Sequence, residues 1–145
     1  MRPMKPDKEI SVSTIRIPTA SGSIPALVLA PKTGAENAVG VLWIHGGGYI
    51  AGMKEMVHAS RAVDLVKKFG AVVVSPGYRL AVQRPYPAAA EDCYSALIYM
   101  KNHVRELGIR REEVVFAMDA MADPVSLYEP LYDSGGDALR IMDQI

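Results

Sequence analysis

The sequence predicts an α/β protein: a mostly parallel sheet, opened by an antiparallel N-terminal pair of strands and flanked by helices. Three observations predict it. Residues 10 to 17 alternate apolar and polar side chains, as strands with one wet face do, and a turn then leads to a second segment, Ile24 to Ala30. Two later runs, Val39 to Ile44 and Ala71 to Val74, are apolar almost without interruption, as in strands buried on both faces of a parallel sheet. Between and after those runs apolar residues recur at helical steps. Strand, helix, strand, helix, strand is the order that builds such a sheet through right-handed crossovers.

Each element has its own warrant. Ile10 to Ile17 alternates with period two and predicts the first strand. Ala20-Ser21-Gly22-Ser23 is a turn, and Ile24 to Ala30 returns as the second strand, with Pro25 near its start, where a missing N–H is tolerable. After the buried run ending at Ile44, Ala59, Ala62, Val63, Val66 and Phe69 form a helical stripe that Gly70 stops. A second helix is predicted from Ala88 to Leu107 on the stripe Cys93, Leu97, Met100, Val104 and Leu107, with Gly108 as its end. Asp92, at that helix's start, reads as a charge favoured by the helix dipole. Val114 to Ala117 makes a further short strand. From Met121 to Ile145 turn signals dominate (Asp123-Pro124, Glu129-Pro130, Asp133-Ser134-Gly135-Gly136), and only Ala138 to Met142 hints at a helix.

Composition narrows the partners. The chain has 145 residues, half of them apolar, enough for one domain with a sizeable core. Sixteen basic and sixteen acidic side chains cancel, so no long-range field would gather nucleic acid or an anionic membrane. No apolar run approaches the ~20 residues of a membrane span, and no apolar segment follows the charged, proline-bearing N-terminus as in a secretory leader. A cytoplasmic location is therefore expected. Cys93 is the sole cysteine, which excludes an internal disulfide and leaves a small buried side chain as its role.

Chemistry concentrates in Trp43-Ile44-His45-Gly46-Gly47-Gly48-Tyr49. Three glycines follow a buried strand directly, at the edge where open α/β sheets bind ligands. Without Cβ atoms the backbone can come close to a ligand and turn consecutive N–H groups toward one spot. His-Gly-Gly-Gly in that position is the oxyanion-hole motif of lipases and esterases.

The neighbouring residues extend the likeness. Ser75-Pro76-Gly77-Tyr78-Arg79-Leu80-Ala81, then Arg84-Pro85-Tyr86-Pro87-Ala88-Ala89 and Glu91-Asp92-Cys93, resemble the hormone-sensitive-lipase family of α/β-hydrolases, with Val82 and Gln83 replacing that family's Pro-Glu. The resemblance covers roughly Ile10 to Val115. It implies the first part of an α/β-hydrolase fold over residues 1–117, a carboxylesterase or lipase ancestry acting on a small ester, and no cofactor or metal. It also implies that the Gly47 and Gly48 N–H groups are oxyanion donors, with His45 and Gly46 supporting the loop.

The pattern then fails. The family's nucleophile elbow, Gly-Asp-Ser-Ala-Gly-Gly, falls on Met118-Asp119-Ala120-Met121-Ala122-Asp123, so Ala120 stands at the nucleophile position and residues 118–145 form a divergent tail. Alanine has no hydroxyl to attack a carbonyl. No histidine follows His103, which reads as a surface residue within the second helix. Ser134 and Ser126 lack the preceding buried strand that would present a nucleophile. The expectation is a truncated or degenerate esterase with the oxyanion loop kept and the nucleophile lost. Its rival is a non-catalytic module that self-associates through an exposed sheet edge.

Overall fold

The computed structural model describes residues 7–118, with side chains described for residues 7–111. The two N-terminal strands, β1 (Ile10–Thr19) and β2 (Gly22–Pro31), pair antiparallel in an unbroken register from Ile10↔Pro31 to Thr19↔Gly22. β3 (Ala38–Ile44), β4 (Val72–Pro76) and β5 (Ile109–Met118) complete a five-stranded sheet in the order β1-β2-β4-β3-β5. β3 runs parallel to both β4 and β5, while β2 meets β4 antiparallel. The predicted α/β class with an antiparallel N-terminal pair and flanking helices is observed, as a mixed sheet of two parallel and two antiparallel pairings.

Period-two side-chain geometry divides the core between the sheet's two faces. On one face Ile24, Ala26, Val28, Leu42, Ile44, Val72 and Val74 pack with Ala89, Cys93, Ala96 and Met100 of helix α2 (Ala88–Asn102). On the other face Leu27, Leu29, Val41, Trp43 and Val73 pack with Ala62 and Val66 of helix α1 (Ala62–Phe69). The uninterrupted apolar run of β4 is thus explained: alternate residues serve opposite layers.

Two helices differ from expectation. α1 begins at Ala62 instead of Ala59, because Lys54–Ala59 form a tighter 3-10 turn and Ser60 supplies the start, its Oγ accepting from the Ala62 N–H at 3.1 Å. Phe69, placed on the predicted stripe, is 74% exposed, and the stripe narrows to Ala62 and Val66. At its end Gly70 takes φ +65° and the Ala71 N–H reaches back to Leu65 O, a Schellman-type closure.

The predicted Ala88–Leu107 helix is two helices, α2 and the short α3 (Val104–Leu107), broken at His103. His103 Nδ1 lies 2.8 Å from Tyr99 O, the ring stacks on Tyr99 at 3.8 Å, and its backbone leaves the helical region. The side chain competes for a backbone acceptor, the mechanism by which polar residues end helices. Apolar spacing continues through Val104 and Leu107, so periodicity could not reveal the break.

The crossovers place the site. The connection leaving β3 passes through α1 on one face, and the connection leaving the adjacent β4 passes through α2 on the other. Adjacent parallel strands whose connections diverge in this way open a crevice at their carboxyl ends, the usual ligand position in open α/β sheets. The loops that flank it are residues 45–61 after β3 and residues 77–87 after β4.

Candidate functional site at the carboxyl end of the third strand

The His-Gly-Gly-Gly run emerges directly from β3 into this crevice, as its sequence position requires. Its conformation is a tight turn: Gly47 O accepts from both Ile50 N–H and Ala51 N–H at 3.1 Å. Gly47 takes φ +121° and Gly48 φ +61°, values that L side chains rarely adopt. At Gly47 an added Cβ would collide with the carbonyl of Ala51, so the glycine is needed for space as well as for dihedral angle. Among the described residues, no acceptor takes the N–H groups of Gly46, Gly47 or Gly48. Three consecutive donors are left at the rim.

His45 anchors the turn from below. It is 3% exposed, with Nδ1 2.9 Å from Gly46 O. A carbonyl can only accept, so that nitrogen carries the hydrogen and donates it. The Tyr78 ring stacks on the imidazole at 4.1 Å with 10° between planes, and the Tyr78 hydroxyl donates to His45 O at 2.8 Å. Tyr49, next to the glycines, tilts against the other side of Tyr78. Burial pushes the Tyr78 hydroxyl up to about 12, with smaller contributions from Cys93 and Tyr49, so it remains a proton donor at any ordinary pH.

Gly52 closes the turn. With φ +106°, its missing Cβ leaves room for Gly46 O and for the imidazole of His45, both of which a methyl group would strike. Sequence reading stopped at the third glycine and missed this fourth. Its signal was only one more glycine four residues after Gly48.

A second feature was misread. Asp92 is fully buried, and its carboxylate accepts from Arg79 backbone N–H at 2.9 Å, Arg79 Nε at 2.9 Å and Arg79 Nη2 at 2.8 Å. It is therefore the partner of Arg79, not a solvated charge at a helix end. The fork geometry of a guanidinium on a carboxylate fixes both groups. Cys93, beside it, is buried as expected, and burial, with the Asp92 charge adding to it, pushes its thiol up to about 12, the range of an inert structural cysteine.

The remaining candidates resolve simply. His103 lies at the far end of α2 and takes no part in the crevice. Ala120, Ser126 and Ser134 lie outside the described residues. Among the described residues no cluster of His, Cys, Asp or Glu could hold a metal ion, and no helix is long and apolar enough to cross a membrane.

Comparison with known proteins places this geometry. Residues 41–120 match the family described as alpha/beta hydrolase fold. Esterase LipI of Mycobacterium tuberculosis is 30% identical over 132 residues, 88% of this chain and 41% of that protein. The hyperthermophilic esterase of Pyrobaculum calidifontis superposes with a TM-score of 0.68 at 36% identity, covering 76% of this chain and 35% of that one. The chain therefore spans about two fifths or less of the length of these relatives. A 41-residue stretch, 28% of the chain, is 61% identical to the RNA polymerase sigma-G factor of Clostridium acetobutylicum and covers 16% of it. With the family model matching more than half of its residues and esterases of the hormone-sensitive-lipase type as its structural neighbours, the chain belongs to the alpha/beta hydrolase fold family.

Proposed function

We propose that this chain carries the oxyanion-binding part of a serine-type carboxylester hydrolase without the nucleophile that would complete it. One observation carries the reading: among the described residues no acceptor takes the N–H groups of Gly47 and Gly48, which sit at the rim on a turn braced by His45 and Gly46. In ester hydrolysis the attacked carbonyl oxygen gains negative charge, and each donor fixed in advance lowers the barrier by about 3 kcal/mol. A nucleophile would have to reach the same carbonyl carbon from the strand end beside β3. β5 occupies that place, and the spacing puts Ala120 just beyond it. The chain alone would then bind an oxyanion and form no acyl-enzyme.

The test is an amide NMR titration with butylphosphonate, an anion with tetrahedral oxygens and an apolar tail. The Gly47 and Gly48 amide resonances should move together and saturate, and a fluorophosphonate probe should label no serine. Shifts spread over the surface with those two amides unmoved, or covalent labelling, would overturn the reading.

The sigma-factor likeness favours a second statement, about descent. Esterase-like structure occupies about three quarters of the chain, which is about the extent of the described residues. We infer that the 41-residue stretch is the chain's last part, so that Ala120 and its neighbours depart from the elbow because they descend from something else. The strand pairing is consistent with this. Between the pairs Ala38↔Ile109 and Gly40↔Val114, β3 advances two residues while β5 advances five. An antiserum against a bacterial sigma-G factor should react with a synthetic peptide of residues 105–145; reaction confined to a peptide from residues 10–60 would refute the placement.

A further inference from the structure

The rim loops after β3 and β4 are stitched together at several points, and the stitching has a direction. Ala81 N–H donates to Tyr49 O at 2.7 Å, Ser75 Oγ donates to Lys54 O at 3.0 Å, and Gly77 N–H fixes the start of the second loop on Pro25 O at 2.8 Å. From the loop after β4, Tyr78 reaches the imidazole beneath the glycines. Its ring covers one face of His45, and its hydroxyl donates to His45 O. The same oxygen lies 3.2 Å from the Nδ1 whose hydrogen is given to Gly46 O. The next residue, Arg79, is held at backbone and side chain by Asp92, which sits inside α2.

We propose that Tyr78 is a positioning residue for the glycine turn, and that the ion pair of Arg79 with the buried Asp92 holds Tyr78 to that task. The chain of contacts runs from helix α2 through Asp92 and Arg79 to the Tyr78 backbone, then through its hydroxyl to His45 and Gly46. It reaches the donors of Gly47 and Gly48 without touching a ligand. The consequence is that the direction of these N–H groups is set by the β4 loop as much as by the glycines themselves. This inference rests on the oxyanion reading for its purpose, but its geometry can be tested apart from it.

Tyr78→Phe removes one hydroxyl and keeps the ring stack, so the fold should survive. Hydrogen exchange of the full chain reads the effect at Ile50 and Ala51, whose N–H groups are both held by Gly47 O. Both should exchange roughly fivefold faster, the change in an opening equilibrium from losing one hydrogen bond. The core amides of Leu42 and Val73 should be unchanged, and the His45 ring nitrogens should shift in the ¹⁵N spectrum. Asp92→Asn should produce the same loop signature together with a lower melting temperature. Unchanged exchange at Ile50 and Ala51 in Tyr78→Phe would overturn the proposal, and so would an equal acceleration at Leu42 and Val73, which marks a general loss of stability. If Tyr78→Phe loosens the turn while butylphosphonate leaves Gly47 and Gly48 unmoved, positioning stands and the oxyanion reading falls. The reverse pair of results separates them the other way.

Discussion

Two glycines of the same turn should respond to the same substitution very differently. Gly48 has φ +61°, inside the left-handed region, and among the described residues beyond its chain neighbours a Cβ there would meet no atom within 4 Å. Gly48→Ala therefore costs only the dihedral penalty, about 1–2 kcal/mol. Gly52 has φ +106°, outside any basin that alanine occupies readily, and its Cβ would fall well inside contact distance of Gly46 O and the His45 ring. Neither neighbour is the free end of a flexible side chain: one is backbone, and the other is clamped by Tyr78. Strain of about 1–3 kcal/mol then adds to a clash that must displace the turn, for a total on the order of 4 kcal/mol, the exceptional end of single substitutions. Urea unfolding followed by the fluorescence of Trp43, the only tryptophan in the sequence, measures both. Gly52→Ala should lower the midpoint by at least twice as much as Gly48→Ala at an unchanged slope. Equal midpoints, or a milder Gly52→Ala, would refute the claim that Gly52 is held by its surroundings.

Two further outcomes concern the groups beneath the turn. Arg79→Met strands the fully buried Asp92 carboxylate, whereas Asp92→Asn leaves a guanidinium that is 27% exposed and can turn to water. Urea midpoints should therefore fall further for Arg79→Met, and the double variant should recover part of that loss, since an unpaired buried charge is worse than a neutral pair. At alkaline pH the sign is set by raised folded-state values: Tyr78 stays protonated up to about 12 while the unfolded ring ionises near 10. The folded state then holds the extra proton, so stability present below pH 10 is lost as pH rises toward 12, by about 1.4 kcal/mol per pH unit at most. Thermal melts between pH 9 and 12 should fall more steeply for the parent chain than for Tyr78→Phe, with Cys93→Ala flattening the curve from pH 9 upward.

Legibility in the sequence followed the length scale of the interaction. β1 was readable because alternation records a single buried face, β2 because a turn precedes it and a proline ends it, and β3 and β4 because an unbroken apolar run records two buried faces. The glycine turn was readable because its chemistry lies in the backbone and its residues are contiguous. Asp92 was not, since its partner Arg79 is thirteen residues away on another element and a helical position by itself cannot distinguish a dipole charge from a buried ion pair. Phe69 and the break at His103 failed for the opposite reason. Local spacing favoured one continuous stripe in each helix, and the outcome was decided by the area of sheet available on one side and a ring stacked on Tyr99 on the other. Gly52 lay between these cases. It was visible as a glycine, but its necessity comes from an imidazole that folds back beneath it.

On the proposed reading, the arrangement of the sheet accounts for a glycine turn kept without a nucleophile. Among the described residues, the hydrogen bonds and ring contacts that shape the turn and its frame come from Pro25, from residues 45–54, from residues 75–81 at the end of β4 and in the loop after it, and from Asp92 in α2, and all of these precede β5 in the chain. The proposed nucleophile position comes after β5, and among the described residues the hydrogen bonds of the glycine turn do not involve β5. In an open α/β sheet the carboxyl ends of neighbouring strands supply separate parts of a site, each held by its own strand and crossover. Replacing the segment after one strand leaves the turn after its neighbour standing, provided the crossover that braces it remains. Here that crossover is β4 through α2, and Tyr78 is where it touches the turn. If this is right, changes at Tyr78 or Asp92 should disturb Gly47 and Gly48 more than any substitution in residues 119–145. Hydrogen exchange at Ile50 and Ala51 across both sets of variants would show the opposite ranking if the turn owed its shape to the tail.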